Sequence, residues 1–387
     1  MTDPNRVPIS PGLLRWARER ARLELADLAS RFPKLPEWES GERLPTFKQL
    51  EAFAKATHVP FGYLFLPEPP EIPMPIPDFR TLENRQPGTI SPDLLDTIYA
   101  MQARQAWLRE DRLECEAAPL PFVGSARLGD DPGDVGREMR RALGLGDGWA
   151  AQVGSWKEAV NALRREIEAL GVMAVINGIV GNNTRRQLDV EEFRGFALSD
   201  THAPLIFVNG ADAKSAQMFT LAHELAHLWL GEQGAGLSGF PGIFPDGDAI
   251  ERFCDRAAAE FLAPEAEMRA LWAEVKRDAS PFETLARRFK VSPIVIGRRA
   301  MDLGLVERGD FFAFYNAYIR RERSEPRNST GGNFYNTQNA RIGQRFATQV
   351  IRAAKEGRIG FKQAYDLTGL RGGAFQKYAR RLGMELP

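Results

Sequence analysis

The sequence predicts an α+β fold that is mostly helical, with a small antiparallel sheet in mid-chain and helical domains on either side. Three observations predict it. Apolar residues recur at three-to-four spacing through most of the 387 residues. Short β-branched and aromatic runs bounded by turns fall together between Val172 and Gly210. The run PEPPEIPMPIP can only be an extended connector, which sets a boundary near residues 67–78.

Taken in order, LLRWARERARLELADLASRF has helical periodicity, WESGERLPT is a turn signal, and FKQLEAFAKATHV is another amphipathic helix. Ser91–Leu113 again reads as helix, and Ala117–Gly136, rich in Gly, Pro and Asp, as loop. WKEAVNALRREIEALG is a helix closed by a glycine. VMAVINGIV, FRGFALS and PLIFVNG are three strands. The helix containing TLAHELAHLWLG follows at once. A glycine-rich loop then leads into AIERFCDRAAAEFLAP, a helix that Pro264 stops. FETLARRFKVSPIVIGRRAMDLGLV predicts two short helices joined by a KVSP turn. After a loop, SEPRNSTGGNFYN, the tail from Asn339 predicts three more helices. The expected domains are residues 1–70, helical; 71–150, connector and helical linker; 151–280, the α+β centre; 281–325, a small helix-turn-helix-like segment; and 326–387, a basic helical domain.

Bulk properties exclude little. Lysine plus arginine and aspartate plus glutamate both total 51, so net charge gives no sign of a nucleic-acid partner. Cys115 and Cys254 form neither a disulfide framework nor a CxxC pair. MTDPNRVPIS lacks the pattern of a signal peptide and no apolar run is long enough to span a bilayer, so the expectation is a cytoplasmic protein with no membrane partner.

The chemistry lies in TLAHELAHLWLG. Positions i and i+4 share a helix face, so His223 and His227 can aim two imidazoles at one ion. Zinc accepts neutral imidazole nitrogens, and a catalytic zinc keeps three protein donors and a water. Glu224 then stands beside that water as general base, the HExxH arrangement. Half of the four histidines fall at this spacing, which weighs against a merely apolar helix. No histidine follows His227, so a third histidine ligand downstream is excluded. Glu251, opening the next helix, is the natural third donor; Cys254, Glu232 and Asp248 are its rivals. Asp255, four positions after Glu251, can accept the outer N–H of a ligating histidine. For the oxyanion, His202, Arg194 and Tyr335 are candidates.

TLAHELAHLWLG followed by ERFCDRAAAEFLAP resembles the ImmA/IrrE metallopeptidases, over about Trp156 to Leu305. The resemblance implies a zincin-like peptidase domain at 151–280 with a gluzincin-like zinc site. His223, His227 and Glu251 would be its ligands, Glu224 its base, and Asp255 would stand behind a histidine. Cys254 stands where the family usually has alanine. The resemblance further implies regulated cleavage of helix-turn-helix repressors in stress responses. The whole-length layout is also similar to relatives encoded beside PIN-like nucleases. The alternative is therefore an antitoxin-like or phage-defence protein that sequesters such a toxin, with zinc structural or regulatory.

The N-terminal segment resembles a Cro/CI-like helix-turn-helix but has only PKLP where a full recognition helix belongs, with Pro33 and Pro36 breaking helix there. A degenerate module for protein contact is expected. Residues 340–387 carry ten basic and three acidic residues. Arg341, Arg345, Arg352, Lys355 and Lys362 come at helical spacing with aromatics among them. That is either a solvated face over a core or a surface for nucleic acid or an acidic partner.

Overall fold

The computed structural model describes residues 6–72, 75, 90–231, 236–238, 249–322 and 334–386. The chain divides into two compact units, Met1–Pro75 with Glu83–Tyr99, and Ile76–Leu82 with Ala100–Pro387.

The first unit holds α1 (Pro11–Arg20), α2 (Leu25–Leu28), α3 (Leu35–Glu39), α4 (Phe47–Thr57), a 3-10 turn (Phe61–Phe65) and the first turns of α5 (Pro92–Glu114). The periodic run from Leu13 to Phe32 is two helices rather than one. Arg22 takes a left-handed φ of 55°, and Glu24 with Asp27 then closes a capping box that starts α2. The PKLP stretch does not abolish helix: Pro36 sits in the first turn of α3, where its missing N–H costs nothing. That helix is five residues long, and its Trp38 is turned into the core with Leu14, Phe32 and Phe53. Glu39, at its end, holds Arg18 by two hydrogen bonds, 2.7 and 3.1 Å, both side chains buried. Two faces of α3 are thus spent on the unit's own interior.

The second unit runs through α6 (Pro132–Ala142), α7 (Trp156–Ala169), β1 (Met173–Asn177), β2 (Gly195–Leu198), β3 (Leu205–Asn209), α8 (Lys214–Leu230), β4 (Gly236–Ser238) and α9 (Ala249–Leu262). It continues as α10 (Glu265–Val275), α11 (Pro281–Phe289), α12 (Pro293–Asp302) and α13 (Arg308–Glu322). It ends in α14 (Phe334–Ile342), α15 (Gln344–Lys355), α16 (Phe361–Thr368) and α17 (Gly372–Arg381). The α+β, mostly helical class holds. The sheet, however, is mixed rather than antiparallel: its order is β1-β3-β2-β4, with β1 parallel to β3 and the other pairs antiparallel. The long connection 178–194 lets the chain pass β1 by, so β3 fills the place between β1 and β2 and runs alongside β1.

Other elements depart from expectation for local reasons. The stretch to Gly136 is not all loop, because Asp131 caps the N-terminus of α6 and Pro132 occupies its first turn. Pro264 ends α9 and also begins α10. β4 lies inside the glycine-rich segment, and α14 begins within the stretch read as a loop. In the basic tail, Phe346, Phe375 and Tyr378 are buried while Arg352, Lys355 and Lys362 are exposed. Those three aromatics serve packing, and Phe346 meets Trp107 of α5 edge to face at 5.6 Å.

α8 is the hub of this unit. Every residue from Gln217 to Leu230 is buried, as an all-round apolar helix requires. β2 and β3 lie against one side and α7, α9 and α6 against the others. Alternation along β2 turns Gly195 and Ala197 toward α8 and leaves Phe196 stacked on Phe207 of β3, centroids 5.0 Å apart. The last carbonyls of α8 accept from the chain before α6, Leu228 from Gly124 at 3.0 Å and Trp229 from Ala126 at 2.9 Å. No helix among the described residues is long and apolar enough to cross a membrane.

Candidate functional site

His223 and His227 stand one turn apart on α8, 4% and 1% exposed, with ring centroids 4.8 Å apart. Their Nε2 atoms approach to 3.0 Å. α9 crosses here and brings Glu251 in: Oε2 lies 3.1 Å from His223 Nε2 and Oε1 lies 3.5 Å from His227 Nε2. One atom from each of the three side chains lies within 4.8 Å of the others. One helical turn further on, Asp255 Oδ1 sits 3.0 Å from His223 Nδ1. The i, i+4 pair on α9 therefore grips both nitrogens of one imidazole. An aspartate accepting from Nδ1–H leaves the Nε2 lone pair pointing inward. Two imidazole nitrogens and a carboxylate converging in a buried spot form a donor set that suits zinc.

The electrostatics agree. Burial alone would lower the His223 pKa, but hydrogen bonds to Asp255 and then Glu251 outweigh it and hold the ring's pKa well above its ordinary value. The site thus favours positive charge, which a bound cation would supply in place of a proton. Cys254 behaves differently: it is fully buried among core residues, and burial first, then Glu251 and Glu224, pushes its thiol well above the ordinary range. A neutral thiol in apolar packing is a poor donor. Glu232 and Asp248 lie outside the described residues.

Glu224, next to His223 on α8, is fully buried. Its room comes from a residue that sequence reasoning passed over. A Cβ on Gly195 of β2 would stand 2.8 Å from Glu224 Oε1, 2.6 Å from Thr220 Cγ2 and 2.9 Å from the Phe207 carbonyl oxygen. Gly195 is thus the gap through which strand and helix approach. The glycine inside FRGFALS was its only signal.

α9 is fixed by contacts distant from the donors. A Cβ on Gly136 of α6 would meet the Ala257 carbonyl oxygen at 2.6 Å. Arg140 donates to the Phe261 carbonyl at 3.0 Å, and buried Glu260 pairs with Arg299 of α12 and with Arg137 at 3.2 Å.

The oxyanion candidates are not brought together. Arg194 directly precedes Gly195, but its Nη1 is held by Asp212 at 2.8 Å. His202 lies in the β2–β3 turn, beyond the opposite end of β2 from Gly195. Its ring contacts Thr201 at 3.2 Å, and its carbonyl accepts from Arg112. Tyr335 is on α14, and its side chain lies outside the described residues.

Residues 169–301 match the family model of the IrrE N-terminal-like domain. That span begins at the end of α7 and takes in the sheet, α8, α9 and both short helices after α10. Residues 342–381, covering α15 to α17, match a model described only as a domain of unknown function (DUF8813). No curated protein matches the chain. Residues 169–301 are thus similar to the IrrE N-terminal-like domain, and that stretch holds both HELAH and the following helix, which carried the resemblance to the ImmA/IrrE metallopeptidases.

Proposed function

We propose that the chain is a zinc-dependent endopeptidase of the ImmA/IrrE type that cleaves a regulatory protein such as a helix-turn-helix repressor. One observation carries this reading: His223, His227 and Glu251 converge from two helices on one point, directly beside buried Glu224. His223, His227 and Glu251 would hold the ion, which would acidify a water and polarise the scissile carbonyl. Glu224 takes the proton of the attacking water and delivers it to the leaving amide nitrogen, acting first as base and then as acid. Asp255, 3.0 Å from His223 Nδ1, would keep His223 in the tautomer whose Nε2 is free to bind the ion. Gly195 leaves the room that the Glu224 carboxylate occupies between β2 and α8. Burial of both histidines and of Glu224 keeps bulk water from competing with these fixed dipoles.

The test is co-expression with the helix-turn-helix regulator encoded nearest its gene, together with metal analysis. The wild type should carry about one equivalent of zinc and cleave the regulator. Glu224→Gln should keep the zinc and lose cleavage by roughly 10²–10⁴-fold. A zinc-free wild type, or cleavage by Glu224→Gln at the wild-type rate, refutes the assignment.

A further inference from the structure

A second cleft, of about 670 Å³, lies at the β1 edge of the sheet, the edge opposite β4. None of His223, Glu224, His227, Glu251 or Asp255 lines it. Its floor is Asn177 to Ile179 at the end of β1 and Gly210–Ala211 after β3. These are the carboxyl ends of the two parallel strands, and the chain leaving β3 turns directly into α8. Crevices in that position, at the head of the following helix, are where α/β folds collect anions.

The charge of the lining is one-sided. Lys157, Arg164, Arg165, Lys214 and Arg341 line the cleft, and no carboxylate is among its described lining residues. Glu168 answers Arg164 from behind at 2.7 Å, but the Nε of that arginine, itself 4% exposed, meets no acceptor. Lys214 Nζ hydrogen-bonds the neutral Gln217 at 2.9 Å, and burial first, then nearby Lys157, lowers its pKa. Arg341 reaches only as far as the Asn182 amide oxygen, 3.4 Å away. At the head of α8 the N-cap is Ala213, whose side chain can accept nothing from the first helical N–H groups. Asp212 beside it is held by Arg194. Gathered cations and an uncapped helix start destabilise the fold until a counter-charge arrives.

We propose that this cleft binds a phosphorylated small molecule of nucleotide size, its phosphates held by Lys157, Arg165, Lys214 and Arg341. The volume falls within the about 300–1,000 Å³ usual for small-molecule sites. Several cations call for several negative charges, and the planar forks of Arg165 and Arg341 match phosphate oxygens. The rest of the wall is rich in amides, Asn161, Asn177, Gln187 and Asn339 among them, which suits the edges of a base or ribose. Thr337 to Gln344 form one side, so an occupant touches the C-terminal segment and the head of α8 at once. His223 lies roughly 9 Å further along that helix than Gln217.

The probes are ADP and pyrophosphate, titrated by calorimetry into the metal-loaded full chain. ADP should bind saturably at one site, and pyrophosphate should compete with it. Lys157→Glu combined with Arg165→Glu should weaken ADP at least tenfold; both residues are exposed, and unchanged circular dichroism would show the fold intact. Glu224→Gln should bind ADP as the wild type does, which separates this site from the metal centre. No saturable binding of either probe at millimolar concentration overturns the proposal. So does equal binding by the charge-reversed variant, or binding confined to a single-stranded oligonucleotide.

Discussion

Substituting Gly195 by alanine isolates the contact between β2 and α8 on which Glu224 depends. The added Cβ meets three atoms at 2.6, 2.8 and 2.9 Å, all under the closest approach that carbon tolerates. Two of them cannot yield. The Phe207 carbonyl belongs to β3, the strand paired to β2, and β2 is itself held on its other side by β4. Thr220 is locked on a buried helix, its hydroxyl donating to the Ala216 carbonyl at 3.1 Å. The third, Glu224 Oε1, is the one group able to rotate, so strain is relieved by displacing that carboxylate. Overpacking of this kind costs about 1–3 kcal/mol, offset by the roughly 0.5–1 kcal/mol that alanine gains over glycine within a strand.

A net loss of about 1–2 kcal/mol lowers the melting temperature of a domain this size by roughly 2–8 °C. With Glu224 as the proposed base, a displacement near 1 Å should cost activity on the order of 10²-fold. Thr220→Ser removes the Cγ2 that makes the closest contact. Added to Gly195→Ala, it should restore part of the melting temperature but not the activity, because the contact with Glu224 remains. The assays are a thermal melt and cleavage of the co-expressed regulator. Gly195→Ala with wild-type melting and cleavage, or no coupling between the two substitutions in a double-mutant cycle, would refute the reasoning.

Other consequences are as direct. Asp255→Asn should weaken zinc by about 10–100-fold in competition with a chelator, since an amide cannot hold the His223 tautomer as a carboxylate does; unchanged affinity would separate Asp255 from the metal. Glu251→Ala should remove zinc from the purified protein while Cys254→Ala retains it, the reverse pattern making the thiol the donor. Glu260→Ala should cost about 3–5 kcal/mol in chemical denaturation, because it strands buried Arg299; a loss under about 1 kcal/mol would mean the pair is solvated. Burial, then the charge of Glu168, pushes the Tyr378 phenol up to about 12 from an ordinary 10.0. Its neutral form therefore contributes stability that is intact below about pH 10 and lost as pH climbs toward 12. The difference in ultraviolet titration between wild type and Tyr378→Phe should appear near pH 12, and a difference at pH 10 would contradict the burial.

What could be read in advance was what the chain encodes locally. Two histidines one turn apart share a face wherever the helix ends up, and Glu251 with Asp255 obey the same rule on α9. Asp131-Pro132 was an equally local helix start that went unread, hidden by the glycines and aspartates around it. The mixed sheet was illegible for a different reason. Neither Met173–Asn177 nor Leu205–Asn209 records which neighbour it will take, because that choice belongs to the 178–194 connection and to the order of packing. β4, Gly-Leu-Ser, is three residues long, too short for alternation to register. Gly195 was illegible because its requirement is set by atoms of Thr220 and Glu224, and those come close only after β2 has docked on α8.

The donor set straddles two helices, and this decides where the precision of the site resides. His223, Glu224 and His227 are placed by one rigid, wholly buried element, whereas Glu251 and Asp255 arrive on another whose angle to the first is a packing outcome. Contacts away from the candidate donors help to set that angle. Gly136 admits the Ala257 backbone to within van der Waals reach of α6, and Glu260 ties the far end of α9 to Arg299 and Arg137. A buried ion pair is an inefficient way to stabilise a fold compared with apolar packing, but it is direction-specific in a way that apolar packing is not. Placed about one and a half turns beyond Asp255, it resists rotation of α9 about its axis, and that rotation decides whether two carboxylates or two arginines, Arg252 and Arg256, face the imidazoles.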